Sequence, residues 1–249
     1  MKELDKIAPN VFIQRHPLSM LGCQMGRVVT VIRLASGKLV IHSTANFSKT
    51  DSKAIRALGE PIALMEATCF HDTFAKEGRE AFAEIPYFVP PGFPKAEALN
   101  TTTLVCGKGV LPGDQHGDLE IIEIGGMPKI REHALYHRPS KTLVAADLIF
   151  NLPSDVGNWT QLFLRATGGI KEFPGMSRLF RFMIKDRNAF RASIKTIAAL
   201  DFNRLIVAHG DPIENDAKAK LLELLKRFSL APQVQKTKTK KQASVTILA

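Results

Sequence analysis

Residues 142–151 form a mostly apolar run with one carboxylate, Asp147, near its middle. Such a run predicts a buried strand. A buried carboxylate without partners costs several kcal/mol or takes up a proton. The sequence therefore predicts that cations, hydrogen-bond donors or a metal ion surround Asp147.

Three other short apolar runs are followed by side chains that can bind metal ions. These runs span residues 38–41, 62–65 and 204–208. Because ligands of α/β proteins commonly bind at the carboxyl ends of strands, we expect the polar residues after these runs to meet at one edge. The residues concerned, with Asp147, are His42, His71, Asp72, His209 and Asp211.

The apolar and polar periodicities predict a strand-rich first half, followed by helices that alternate with strands. A Ser36-Gly37 turn joins the first clear hairpin. Helices are predicted where apolar residues recur at helical spacing, and the first has Ser48 or Thr50 as its cap. The predicted hairpin strands are residues 27–34 and 38–42, and the predicted helices are residues 51–58, 71–82, 159–167, 175–185, 188–200 and 214–228.

Length and composition are those of a globular protein with a sizeable core. The chain has 249 residues, 45% of them apolar, and a mean hydropathy of −0.01. We expect one domain over residues 1–231. No apolar run approaches the roughly 20 residues of a membrane span, so we expect no membrane partner. The start of the chain lacks a signal-peptide pattern and only three cysteines occur, which together predict a cytoplasmic protein.

The net charge of +10 has a partly local origin. Residues 232–249 contain four lysines and no acid, so the remainder carries +6 (10 − 4). This basic tail is predicted to be disordered. Motifs typical of nucleic-acid binding are missing, so we expect a small-molecule substrate or ligand and no specific nucleic acid.

Three segments together resemble the metallo-β-lactamase superfamily, and within it a poorly characterised domain family of unknown function. They are residues 31–43, residues 136–151 and residues 208–213. The resemblance implies an α/β fold, an αββα sandwich in which two mixed β-sheets are flanked by helices. It also implies a metal site between the sheet edges and hydrolytic chemistry.

The metal-binding motif of that superfamily, T-H-x-H-x-D-H, is altered in this chain. The corresponding residues are Glu66-Ala67-Thr68-Cys69-Phe70-His71-Asp72, so the first two histidines are missing and the final pair is reversed. Asp147 and His209 match the later aspartate and the final histidine of the family. The resemblance thus implies at most one divalent ion (Zn²⁺, Mn²⁺ or Fe), with His71, Asp72, Asp147 and His209 as ligands and Asp147 and His209 as catalytic residues.

Two functions stay open at this point. One is a metal-dependent hydrolase of a small ester, thioester, lactone or phosphoester. The other is a catalytically degenerate protein of the same fold, a binding module or scaffold whose histidines and carboxylates form a metal-free hydrogen-bonded cluster. His42, Asp211 and His133 are expected to support the ligands from behind.

Overall fold

Two β-sheets form the centre of the molecule, in a computed structural model that describes residues 4–153, 156–168, 170 and 172–232. The first sheet has seven strands, which neighbour one another in the order β1 (Asp5–Ala8), β2 (Val11–His16), β5 (Arg27–Arg33), β6 (Leu39–His42), β7 (Pro61–Met65), β8 (Tyr87–Val89) and β9 (Thr102–Thr103). A separate short hairpin joins β3 (Ser19–Met20) to β4 (Cys23–Gln24).

The second sheet has five strands, which are β10 (Gly107–Lys108), β11 (Leu119–Glu123), β12 (His133–His137), β13 (Thr142–Val144) and β14 (Arg204–Ile206). Both sheets are mixed, because each combines antiparallel pairs with parallel ones. The parallel pairs matter for the site, since their carboxyl ends point to the same edge.

Six α-helices lie within the described ranges, and five of them pack on the outer faces of the two sheets. The six are α1 (Lys49–Arg56), α2 (Ala75–Ala81), α3 (Asn158–Phe163), α4 (Arg178–Met183), α5 (Arg187–Ala199) and α6 (Ala217–Arg227), and a π-helical turn at Leu164–Gly168 continues α3. Ser48 caps α1 in a capping box with Asp51. Within the described ranges, no helix is both long and apolar enough to cross a membrane.

Three apolar clusters hold these layers together. The central cluster lies between the sheets, where Val40 and Met65 of the first sheet pack with Leu135 and Val144 of the second. One outer cluster joins the first sheet to α1 and α2, and the other joins the second sheet to α4, α5 and α6. The expected αββα sandwich is confirmed.

Two predicted elements differ from the structure, and both carry site residues. The run at residues 142–151 is a strand only at Thr142–Val144, so Asp147 lies in the loop that follows. The helix expected from residue 71 begins at Ala75, so His71 and Asp72 also lie in a loop. Strands β5 and β6 match the predicted hairpin closely.

Other predicted elements are confirmed with shifted ends. The helix expected over residues 159–167 divides into α3 and the π-helical turn, and the one expected over residues 175–185 shortens to α4. Helices α5 and α6 lie within one to three residues of their expected bounds. The predicted tail lies, apart from Pro232, outside the described residues.

Candidate functional site

His71, Asp147 and His209 converge at one edge of the sandwich. Each lies in a loop that follows a strand, after β7, β13 and β14 respectively. The Nε2 atoms of both histidines lie 3.4 Å from the same oxygen, Oδ1 of Asp147. Each of the three residues can supply one ligand atom so that all three atoms lie within 4.8 Å of one another.

The backbone and a neighbouring ring fix the orientation of His209. Its Nδ1 lies 2.7 Å from the carbonyl oxygen of Gly26. A carbonyl only accepts hydrogen bonds, so Nδ1 carries the proton in the neutral ring and Nε2 presents its lone pair to the site. Phe150 stacks on the imidazole with ring centroids 5.2 Å apart and planes 9° from parallel. Burial lowers the pKa of His209 although Asp147 opposes the shift, so the neutral form is favoured.

His71 lies between two carboxylates. Its Nδ1 is 3.4 Å from Oε2 of Glu66 and its Nε2 is 3.4 Å from Asp147. Burial and the charge of Arg27 oppose protonation, but Asp147 and Glu66 outweigh them and raise the pKa of His71. Burial alone would raise the pKa of Asp147, yet His71 and His209 hold it well below its usual range.

Glu66 is a fully buried carboxylate behind His71. Its Oε1 accepts hydrogen bonds of 2.6 Å from both the backbone N–H and the hydroxyl of Thr44. Burial opposes ionisation, but His71, Arg27 and Thr44 together lower the pKa of Glu66. Glu66 therefore stays charged and faces the Nδ1 of His71 at 3.4 Å.

Glu132 is a second buried carboxylate, and it shapes the loop that carries Asp147. It accepts hydrogen bonds from three successive backbone N–H groups, those of Ala146, Asp147 and Leu148, at 2.9 to 3.1 Å. Burial and the nearby charge of Asp147 raise the pKa of Glu132 to about 8. These bonds replace the strand pairing that the loop lacks.

Arg27 supplies a buried positive charge beside the cluster. The guanidinium donates from Nη1 to the Ser43 hydroxyl at 3.1 Å and lines the same cavity as Asp147. Burial lowers the pKa of Arg27, while Glu66 and Asp147 counteract the shift. The positive charge of Arg27 thus partly balances the negative charges of Glu66 and Asp147.

The remaining predicted residues lie at different distances from this cluster. Asp72 is half-buried and lines the cavity, but its carboxylate does not belong to the group within 4.8 Å. His42 is buried, neither ring nitrogen has a hydrogen-bond partner among the described residues, and burial lowers its pKa to about 4.

Asp211 and His133 do not reach the cluster with their side chains. The Asp211 carboxylate is half-exposed and pairs with Arg15 at 3.1 Å, while its backbone bonds to Asn151 and so braces the His209 loop. His133 bonds through Nδ1 to the carbonyl of Arg131 and groups with Cys106 and Glu123 instead.

A cavity of about 690 Å³ opens onto the cluster. Arg27, His71, Asp72, Asp147 and His209 form its polar end. The rest of the wall is largely apolar, with Leu18, Met25, Phe150, Phe163, Leu164, Ile170 and Phe180 among the lining residues. This shape suits a ligand that has a polar reactive group and an apolar body.

The donor set fits a divalent metal ion. Two ligands held at about 2.1 Å from a tetrahedral ion lie about 3.4 Å apart, which is the separation between Asp147 Oδ1 and each Nε2. The Nδ1 of His209 is also bound to an oxygen acceptor, as in most metal-binding histidines, and the Nδ1 of His71 lies 3.4 Å from a carboxylate oxygen of Glu66. The same 3.4 Å contacts are long for hydrogen bonds, so a direct bond explains them less well.

Sequence reasoning missed three buried ionisable residues: Arg27, Glu66 and Glu132. Arg27 begins strand β5 and Glu66 follows strand β7 directly. Glu132 stands immediately before β12. Each of the three is a charged residue type that adjoins an apolar run, and this signal could have found them.

Comparison with known proteins identifies the fold. The sequence matches no family model and no curated protein. The structure is similar to a metallo-β-lactamase from Pontibacter korlensis, with a TM-score of 0.59 and 15% identity over 91% of this chain and 99% of that one.

Two further solved structures agree. A metallo-β-lactamase from Erythrobacter litoralis gives a TM-score of 0.58 with 15% identity, covering 90% of this chain and 92% of its own. The DIM-1 metallo-β-lactamase gives 0.61 with 14% identity, covering 92% and 97%. The chain therefore has the metallo-β-lactamase fold.

Proposed function

We propose that this protein is a metal-dependent hydrolase with a single divalent ion, Zn²⁺, Mn²⁺ or Fe, held by His71, Asp147 and His209. The observation that supports the proposal is the pair of 3.4 Å separations between one oxygen of Asp147 and the two Nε2 atoms. Asp72 lies in the wall of the same cavity but outside this group, so it would become the fourth ligand only after its side chain moves toward the other three.

The ion would supply a Lewis acid and a water molecule of lowered pKa. The chain's own residues would orient the metal ligands and bind the substrate. Glu66 and the Gly26 carbonyl hold the two imidazoles, and Glu132 holds the backbone of Asp147. Arg27 faces the cavity with a buried positive charge, which suits an anionic oxygen that develops on the substrate.

The substrate class proposed is a small ester, thioester, lactone or phosphoester. The apolar wall of the cavity favours an acyl or other apolar group attached to the bond that is cleaved. Membership of the domain family of unknown function is likewise proposed, on the three matching segments alone.

Metal content tests the proposal directly. Inductively coupled plasma mass spectrometry of untagged protein, after loading and dialysis, should find about one equivalent of metal. Asp147→Ala and His209→Ala should each lose the metal and any hydrolysis of chromogenic ester and phosphodiester substrates.

Asp211→Asn is the matched control, because Asp211 lies two residues from His209 but its carboxylate pairs with Arg15. That variant should keep the metal. Full occupancy in Asp147→Ala would disprove the ligand set. No retained metal in the wild-type protein would favour the non-catalytic alternative, in which protonated His71 links Glu66 and Asp147.

A further inference from the structure

Exposed apolar side chains are concentrated around the mouth of the cavity. Nine large apolar side chains are exposed among the described residues, and six of them lie on the short hairpin β3–β4 and on helices α3 and α4. Single exposed apolar residues are common, but a contiguous group marks an interaction surface. We call this group the apolar rim: Met20, Leu21, Trp159, Leu162, Leu179 and Phe182.

Direct contacts join the hairpin to α3. The indole Nε1 of Trp159 donates to the carbonyl of Leu21 at 3.3 Å, and the backbone N–H of Gln24 donates to the Thr160 hydroxyl at 3.0 Å. The Trp159 ring also lies 6.2 Å from the ring of Phe163, which lines the cavity. The hairpin and α3 therefore form one surface beside the opening.

Helices α3 and α4 each present two rim residues at a spacing of three. Trp159 and Leu162 are 56% and 60% exposed, and Leu179 and Phe182 are 60% and 70% exposed. Residues three apart lie on one face of a helix. Because Leu179 and the neighbouring Leu164 also line the cavity, both helix faces border its mouth.

Basic residues outnumber acidic ones in the same region. Residues 156–185 contain five basic residues and one acidic residue, Glu172, with Asp155 and Asp186 on either side. Arg165, Arg178 and Lys185 are exposed, and Lys185 Nζ lies 4.1 Å from the centroid of the Phe182 ring. An apolar surface bordered by positive charge is complementary to a partner that is both apolar and anionic.

We propose that the apolar rim docks on the surface of a lipid bilayer that contains anionic phospholipids. Tryptophan is favoured at the membrane interface, apolar side chains are stabilised by entering the acyl boundary, and nearby Lys and Arg side chains are attracted to anionic lipid. A second copy of the chain fits less well, because a two-fold contact would bring the basic residues of both copies together.

The expectation of no membrane partner rested on the lack of a membrane-spanning run in the sequence. Docking on the bilayer surface does not require such a segment, so the proposal departs from that expectation and is compatible with the helices described above. It places the cavity mouth against the bilayer, where an amphiphile could enter with its apolar part shielded from water. The inference is independent of the proposed hydrolysis, because it rests on the rim and its charges and on none of the metal ligands.

Trp159 is the single tryptophan of the chain, so its fluorescence reports on the environment of the apolar rim. Vesicles of phosphatidylcholine with phosphatidylglycerol should shift its emission to the blue, and brominated acyl chains should quench it. Phosphatidylcholine vesicles alone should give a much smaller effect, and added salt should weaken binding. An unchanged spectrum with anionic vesicles that do not sediment the protein would overturn the proposal.

Paired variants locate the contact. Leu179→Asp with Phe182→Asp should weaken vesicle binding about ten-fold or more, because two apolar side chains no longer enter the lipid. Val105→Asp with Val110→Asp is the matched control, since both valines are exposed but neither belongs to the rim. Phe182→Ser alone serves if the double variant fails to fold.

Three further results would contradict the proposal. Equal losses in the rim and control pairs would exclude a specific surface. Full loss on replacing Lys236, Lys238, Lys240 and Lys241 with Gln, with no effect of the rim variants, would assign binding to the tail. Sedimentation velocity that shows a dimer dissociated by Phe182→Ser would identify a second copy as the occupant instead.

Discussion

The carboxylate of Glu132 accepts a hydrogen bond of 3.1 Å from the backbone N–H of Asp147. The same carboxylate also binds the N–H groups of Ala146 and Leu148. One buried side chain thus replaces three backbone acceptors, and it fixes the residue on which the proposed metal centre depends.

Glu132→Ala should strongly destabilise the protein. Three buried N–H groups would lose their acceptor, at a cost of at least about 3 kcal/mol in the free energy of unfolding. Urea denaturation measures this change. Glu123→Ala, one strand away on β11 and exposed, should cost about 0.5 kcal/mol or less. A Glu132→Ala variant as stable as the control would show that water can replace the carboxylate.

Glu66→Gln should weaken metal binding while leaving the ligands in place. The charged acceptor behind His71 Nδ1 is lost, and such changes typically lower affinity about 10- to 100-fold. Competition with a chromogenic chelator gives the dissociation constant. Glu60→Gln, whose carboxylate lies at the surface near Lys38, should bind metal as the wild type does. Unchanged affinity in Glu66→Gln would mean that Glu66 does not orient His71.

Gly210→Ala should disrupt the His209 loop. Gly210 has φ of +105°, and a Cβ there would run into the backbone carbonyl of Asn151. We expect a loss of about 3 kcal/mol or more in stability, together with loss of metal. Gly37→Ala separates the effect of backbone strain from that of the steric clash. Gly37 has φ of +79° but open space around it, so this substitution should cost about 1 kcal/mol in stability. Thermal unfolding of both variants compares them.

His137 should contribute to acid instability. Burial lowers its pKa to about 4, although Asp118 partly opposes the shift. An unfolded histidine titrates near 6.5, so the unfolded state binds the extra proton first as the pH falls. Stability is therefore full above about pH 6.5 and is lost toward pH 4, by an amount on the order of 3 kcal/mol.

Urea denaturation between pH 4 and 7.5 tests this expectation. His137→Gln should show a shallower loss of stability in that window than the wild type, whatever its stability at neutral pH. The exposed His116→Gln is the control and should reproduce the wild-type slope. Equal slopes in both variants would assign the acid loss to other groups.

The hairpin of the first sheet could be predicted from the sequence because its pattern is local, whereas the sandwich was implied by the resemblance of three segments to a known superfamily. The Ser36-Gly37 turn and the flanking apolar residues define β5 and β6 without help from distant parts of the chain. The strand predicted over residues 142–151 was longer than the observed β13 for a physical reason. Its apolar pattern continues to residue 151, but Glu132 takes the N–H groups that a longer strand would have paired.

The candidate site was predictable only in part. His71, Asp147 and His209 follow strands, so their convergence follows from the topology that the pattern predicted. Arg27, Glu66 and Glu132 adjoin strands or begin them, and their burial depends on which sheet edges meet. His133 was expected to support the metal ligands but lies beside Cys106 and Glu123 instead. Alternation along β12 predicts which face of the sheet a side chain occupies but not the neighbours that it contacts.

The bond between His209 and Gly26 spans 183 residues of sequence. The carbonyl of Gly26, next to the start of β5 in the first sheet, orients His209, which follows β14 of the second sheet. An incomplete chain during synthesis therefore has no formed centre, even when its first sheet has already folded. Metal capture should be one of the last events in maturation, and the time course of metal uptake should follow the docking of the two halves.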